Sequence, residues 1–231
     1  MSALASMSTK SGFHSATRIN RSLTAPIEKR ALEWMAVRAP RWVTSDRLTL
    51  LGFSAQIACG VSFALARYHR MMLLGVIVCL ALNWLGDSLD GTLARVRRIE
   101  RPRYGFYVDH MADVFGSVAL MLGLGCSGML RPAVAVAMLL AFLVLAAESF
   151  LATYTLARFQ LSQGLFGPTE IRIVLAIGTL KLLRNPWATI FGHRILLFDI
   201  GGSIAASMMF AMAVTVTLRH ILQLYREEPV K

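Results

Sequence analysis

The sequence predicts an all-α integral membrane protein: six transmembrane helices preceded by an amphipathic helix at the membrane interface. Three observations predict it. Of 231 residues, 56% are hydrophobic and 16% charged, whereas a soluble domain has about 45–50% and about 25%. Mean hydropathy is +0.58. The apolar residues also gather in runs close to the roughly 20 residues that cross a bilayer core as helix. The net charge of +11, from 24 Lys and Arg against 13 acids, would point to nucleic acid in a soluble chain. In a membrane chain it marks the cytoplasmic side instead, so no nucleic-acid partner is expected.

Residues 1–25 are rich in Ser and Thr and lack acids. That composition reads as a flexible tail, with a weak likeness to a transit peptide. The membrane domain is expected over 26–231. It opens with an amphipathic helix at 27–43, with Ala31, Leu32, Met35 and Ala36 as its apolar stripe. Glu28, Lys29, Arg30, Arg38 and Arg41 lie among them, which suits the membrane interface. Thr44, Ser45 and Asp46 form a short polar break before the first span.

The six spans are expected near 48–67, 71–94, 104–130, 132–157, 169–183 and 196–219. Residues 48–66 and 200–218 carry no charge. The second span runs into Asp87, the third holds Asp109, His110 and Asp113, and the fourth holds Glu148. The fifth is the weakest, with Glu170, Arg172 and Lys181. With both termini in the cytoplasm, six spans divide Lys and Arg eighteen to six in favour of that side, as the positive-inside rule requires. Cys59, Cys79 and Cys126 show no metal or disulfide spacing and read as small core residues.

Four of the thirteen acids, Asp87, Asp90, Asp109 and Asp113, fall within twenty-seven residues of largely apolar sequence. An aspartate at mid-membrane costs about 2.5–3.5 kcal/mol on insertion scales, so four together call for something cationic among them. Asp87, Asp90, Gly91, Ala94 and Arg95 stand at i, i+3, i+4, i+7 and i+8, and share one helix face. Gly105, Asp109 and Asp113, at i, i+4 and i+8, share another. An antiparallel helix pair joined by the basic loop 96–104 would bring the four carboxylates together at the membrane boundary. Oxygen ligands alone suit hard divalent cations, Mg²⁺ or Mn²⁺, and two ions would balance four charges. Two-metal sites serve phosphoryl chemistry. Gly91 and Ala94 leave room beside the backbone, and Arg95 can clamp a phosphate bidentately. The spacing points to a membrane enzyme acting on a diphosphate.

Asp87-x2-Asp90-Gly91-x2-Ala94-Arg95-x9-Gly105-x3-Asp109-x3-Asp113 resembles the signature of the CDP-alcohol phosphatidyltransferases, with every fixed residue present. The resemblance implies a CDP-linked lipid donor, usually CDP-diacylglycerol. An acceptor alcohol attacks the phosphorus next to the lipid, and CMP leaves. It also implies that Asp87, Asp90, Asp109 and Asp113 ligate metal and that Asp113 is the general base. Gly91, Ala94 and Arg95 match positions at the CDP moiety. Homodimers with the site opening to the cytoplasm are the family's habit, and the cell (inner) membrane is the expected location. One departure is clear: Thr44, Ser45 and Asp46 stand where relatives often have a Pro-Asn break near the nucleotide.

The acceptor is open. Arg98, Arg101 and Arg103 suit a phosphorylated acceptor, and they equally suit anchoring of the loop on anionic lipid, at about 1 kcal/mol each. Gly167-Pro168-Thr169-Glu170 reads as a helix start with Pro168 at the first helical position. Arg172 in that first turn can meet an acceptor anion or pair with Glu170. Glu148 reads as an interhelical hydrogen-bonding group and His110 as a loop or interface histidine. Two rival readings explain less. An intramembrane prenyltransferase using Mg²⁺–diphosphate shares Asn83-x3-Asp87-x2-Asp90 but leaves Gly91-x2-Ala94-Arg95 unexplained. A divalent-cation transporter needs polar residues continuing to the far face, where Glu148 is the single deep acid outside the cluster, and Arg95 would repel its cargo.

Overall fold

The computed structural model describes residues 17–19, 25–156, 158–160, 167–190 and 192–229. Seven α-helices dominate: α1 (Ala25–Arg38), α2 (Ser45–Leu65), α3 (Met72–Arg97), α4 (Pro102–Cys126), α5 (Pro132–Leu156), α6 (Pro168–Leu182) and α7 (Leu197–Glu227). Two small sheets join them. Strand β1 (Thr17–Ile19) pairs in parallel with β2 (Arg158–Gln160). Strands β3 (Trp187–Ile190) and β4 (His193–Leu196) form an antiparallel hairpin that Gly192 helps to turn at φ +80°.

Among the described residues, five helices, α2, α3, α4, α5 and α7, are long and apolar enough to cross a membrane. At 15 residues α6 is shorter, about 22 Å at 1.5 Å per residue. It nevertheless runs alongside α3. Near its start Arg172 reaches Asp87 on α3, and at its last residue the Leu182 carbonyl accepts from Arg70, just before α3.

Local chemistry sets most boundaries. Thr44, in extended conformation, caps α2 by accepting from the Arg47 N–H at 3.3 Å. Prolines open α4, α5 and α6, where a missing N–H costs nothing. Helix α3 ends in a left-handed residue, Arg98 at φ 56°, with the Ile99 N–H donating back to the Ala94 carbonyl at 3.0 Å. That closure is the usual one for a helix C-terminus. It turns the chain directly into α4.

Two expectations need correction here. The N-terminal helix stops at Arg38, not at residue 43, because Pro40 disfavours helical backbone at Ala39. Its buried stripe is also narrower: Leu32 and Ala36 are buried, Met35 is half-buried and Ala31 is exposed. The supposed tail is not uniform either. Thr17–Ile19 is extended and pairs with the edge after α5, while residues 1–16 and 20–24 lie outside the described residues.

The helices pack around two apolar centres. The larger joins Phe63, Leu73, Val76, Leu124, Leu130 and Leu182. The smaller docks Leu32 and Ala36 of α1 on Leu48, Leu89 and Leu93. Close crossings fix α2 against its neighbours. A Cβ on Gly86 would sit 2.5 Å from Gly52 N and 2.6 Å from the Leu48 carbonyl, so backbone meets backbone there. Small residues permit such approach between membrane helices. Gly86 directly precedes Asp87, so this crossing also fixes where the acidic face of α3 points. Of the three free cysteines, Cys59 is buried and Cys79 half-buried, but Cys126 is exposed at the end of α4 and is no core residue.

Candidate active site

The end of α3 and the start of α4 carry the acidic residues. Asp113 is the centre of the group: Asp87, Asp109, Arg172 and Asp90 all lie near enough to act on its charge. Asp90 is buried, and Asp87, Asp109 and Asp113 are half-buried. The four predicted aspartates therefore share one region. Its finer arrangement differs from a simple convergence, because Asp87 and Asp90 hydrogen-bond to side chains of other helices, and Asp109 Oδ2 lies 4.0 Å from His110 Nδ1.

Asp87 Oδ2 accepts from Arg172 Nη2 at 2.5 Å, while Arg172 Nε donates to Asn83 Oδ1 at 2.8 Å. The guanidinium thus forks across one helical turn of α3. Asn83 in turn donates to the Gly52 carbonyl at 3.0 Å, tying α2, α3 and α6 together. Asp90 Oδ2 accepts from Thr49 Oγ1 at 2.6 Å, and Ser45 Oγ donates to the Asp90 carbonyl at 3.0 Å. The first turns of α2 therefore grip α3 through Ser45 and Thr49. Asp90 Oδ1 also accepts from the Gly91 N–H.

The donor set is all carboxylate oxygen, which fits Mg²⁺ or Mn²⁺. Among the described residues, no three His, Cys, Asp or Glu side chains stand close enough to share one ion as they are. The two helices that carry the aspartates pack on α2 rather than on each other, and Arg172 and Thr49 hold Asp87 and Asp90. The chemistry of the site fits a hard cation, and these two contacts are what an ion would compete with.

The remaining predicted residues separate cleanly. Arg95 is exposed and donates to Thr92 Oγ1 at 3.0 Å. A Cβ on Gly91 would meet only Arg95 Nη1, at 3.6 Å, and one on Gly105 would meet nothing within 4 Å. The fold itself needs no glycine at either place. Ala94 is half-buried on the same helix. Arg101 pairs with Asp46 and lies 4.2 Å over the Tyr104 ring, so it braces the loop. Arg98 forms the left-handed end of α3, and it and Arg103 are exposed. Glu170 is buried, and its Oε2 accepts from the Gly167 N–H at 2.9 Å and caps its own helix. His110 packs between α4 and α5, stacked on Phe106 and edge-on to Phe150. Glu148 makes an interhelical hydrogen bond, with Oε1 at 2.5 Å from His220 Nδ1 on α7.

Sequence reading missed Asn83, Thr49 and Glu28 as polar partners. Glu28 Oε1 accepts from Trp84 Nε1, Ser88 Oγ and Thr169 Oγ1. Arg97 was missed too. It donates to the carbonyls of Val43, Ala39 and Pro40, and so locks the α1–α2 link onto the end of α3. The one available signal was polarity within apolar helices, which marks a residue but not its partner.

No curated protein matches the sequence. The fold is similar to a crystal structure of phosphatidylinositol phosphate synthase from Mycobacterium tuberculosis with CDP-DAG bound, with a TM-score of 0.51 and 17% identity over 87% of this chain and 92% of that one. The family model for CDP-alcohol phosphatidyltransferase matches residues 42–219, from just before α2 through most of α7. The chain is an enzyme of the CDP-alcohol phosphatidyltransferase family.

Proposed function

We propose that this enzyme transfers the phosphatidyl group of a CDP-linked lipid, CDP-diacylglycerol, to an acceptor alcohol and releases CMP. The observation that carries the reading is that Asp87 and Asp90 of α3 and Asp109 of α4 all lie near enough to Asp113 to act on its charge, on two helices that both pack against α2. The complete signature and the family membership support it. The likeness to a synthase with CDP-DAG bound supports the donor.

Asp113 accepts the proton of the acceptor hydroxyl. The hydroxyl oxygen forms a bond to the phosphorus next to the diacylglycerol, and the bond from that phosphorus to the CMP oxygen breaks. A positioned carboxylate base contributes about 10²–10⁴-fold. Asp87, Asp90, Asp109 and Asp113 would hold two Mg²⁺ or Mn²⁺ ions, which stabilise charge on the diphosphate and on departing CMP. Gly91 and Ala94 leave the face of α3 open to the nucleotide, and Arg95 offers a planar fork to its phosphate. Arg172 holds Asp87 in place through its second bond to Asn83. With Arg98 and Arg103 it provides positive charge for a phosphorylated acceptor.

Residues 26–231 act as one membrane domain with both termini in the cytoplasm. The Lys and Arg bias supports that orientation. It needs an even number of crossings, and the course of α6 alongside α3, from the Arg172–Asp87 contact to the Leu182–Arg70 contact, supports α6 as the sixth. Helix α1 lies at the interface, with Trp34 and Val37 exposed beside Lys29 and Arg30. The family resemblance supports a homodimer in the inner membrane.

The test is CMP release from CDP-diacylglycerol by purified protein with Mg²⁺ or Mn²⁺, against glycerol phosphate, inositol, inositol phosphate and serine. Acceptor-dependent CMP that disappears in Asp113→Asn is the expected result. No turnover together with no metal-dependent binding of any CDP-lipid would sink the reading.

A further inference from the structure

We propose that Glu28, on the helix that precedes the membrane spans, is a positioning residue for the site. Its carboxylate fastens the first turn of α6 to α3 and thereby sets where Arg172 meets Asp87. The inference rests on the site reading above.

One oxygen does the fastening. Glu28 Oε1 accepts from Trp84 Nε1 at 2.8 Å, from Ser88 Oγ at 3.0 Å and from Thr169 Oγ1 at 2.9 Å. Two of these donors come from α3 and the third from α6. Trp84 and Ser88 flank Asp87 in the sequence, and Thr169 lies one helical turn before Arg172. A movement of Glu28 is therefore passed to both members of the Asp87–Arg172 contact.

The choice of a carboxylate follows from its surroundings. All three donors are neutral, and hydrogen bonds to an ionised acceptor are roughly twice as strong as neutral ones. Thr169 is the second residue of α6, and the exposed N–H groups of that first turn favour a negative charge. Glu28 also lies in the first turn of its own helix, which favours it in the same way.

Glu28 is not needed to dock α1. Leu32 and Ala36 already bury themselves on Leu89 and Leu93. What Glu28 adds is the reach to α6. Near the site Arg172 adds two bonds of its own to α3, so without Glu28 the guanidinium would share in holding the helix that carries it.

The prediction separates positioning from simple support. Glu28→Ala should raise KM for the acceptor or lower kcat by about tenfold or more, since a displacement near 1 Å at such a site can cost far more. Its affinity for CDP-diacylglycerol and its melting temperature should stay near those of the native protein. Glu28→Gln keeps an acceptor oxygen and should restore most of the loss. Leu32→Ala, which loosens α1 without touching the carboxylate, should lower the melting temperature and leave KM and kcat per folded molecule unchanged. An activity-independent readout comes from spin labels at Leu82→Cys and Ile173→Cys, both exposed, in a chain with its own three cysteines replaced. The α3–α6 distance distribution should broaden in Glu28→Ala and stay narrow in Glu28→Gln. A narrow distribution in Glu28→Ala, or a loss explained wholly by unfolding, overturns the proposal. Broadening in a protein that turns over no CDP-lipid at all would retire the transferase reading and leave the fastening intact.

Discussion

Two Asp–Arg contacts stand at opposite ends of the helix bundle, and they do different work. At the end away from the acidic cluster, Asp199 accepts from Arg131 twice, from its backbone N–H at 2.7 Å and from its Nε at 2.8 Å. One carboxylate meets one cation, both oxygens are used, and the start of α5 is tied to the start of α7. At the other end Arg172 meets Asp87 at 2.5 Å, but three carboxylates and one guanidinium act on Asp113. The first arrangement is balanced and complete. The second carries an excess of negative charge at the edge of an apolar bundle, where such excess is costly. Balance is what a structural contact needs. Excess is tolerated where a cationic or proton-bearing ligand is part of normal operation.

The sharpest way to break this comparison is to neutralise one carboxylate at each end. Asp113→Asn should lower CMP release by about 10²–10⁴-fold. It removes a charge from a crowded group, so the melting temperature in detergent should hold or rise. Asp199→Asn should do the reverse. Activity per folded molecule should be unchanged, while stability falls by about 1–3 kcal/mol as the Arg131 donors lose an ionised acceptor. Activity assays beside thermal melts of both variants would check this. Equal loss of stability in the two would show that the acidic group is only another structural contact.

Arg172 gives the next largest effect. Arg172→Gln should lower activity by about 10–10²-fold, through misplacement of Asp87. It should also reduce the Mg²⁺ concentration needed for half-maximal activity, because the ion no longer competes with a guanidinium. Arg172→Lys should recover little of the activity. The native fork reaches Asn83 and Asp87 together, and a single ammonium lacks that planar geometry. A titration of activity against Mg²⁺ in the three proteins decides it, and full recovery by Lys would show that charge alone matters.

The two ends also differed in how much their sequence revealed. The acidic group was legible because its residues lie on two adjoining helices, so helical spacing alone places them on shared faces. Pro168 as the start of α6 was legible for the same local reason. Partners that come from distant segments were not. Thr169 and Glu28 are 141 residues apart and Arg131 and Asp199 are 68 apart, and periodicity says which face a residue occupies but not which helix lies opposite. Glu148 was recognisable as a deep acid, yet nothing local named His220. The length of α6 was ambiguous because its charges sit at its ends, where they serve as cap and site residue. The early stop of α1 was legible in Pro40, but the apolar stripe runs on past it and masks the signal.

Glycines provide the finest comparison, since the same substitution meets opposite surroundings. At Gly86 the α2 and α3 backbones touch, and a methyl group would sit 2.5 Å from Gly52 N. Gly86→Ala must separate the helices, at about 1–3 kcal/mol for overpacking, and should carry the Asp87 region with it. At Gly105 a methyl group would meet nothing within 4 Å. Inside α4, alanine is the better helix former by up to about 1 kcal/mol, so Gly105→Ala should melt at the same temperature or slightly higher. Its activity should nevertheless fall several-fold, because the space above Gly105, one turn before Asp109, is where a ligand would approach the backbone. A drop in KM-weighted activity with a preserved melting temperature would mark Gly105 as a contact for substrate. Full activity would mean that substrate keeps to the α3 side, over Gly91 and Ala94, and that the glycine of α4 answers to nothing in this chain or its ligand.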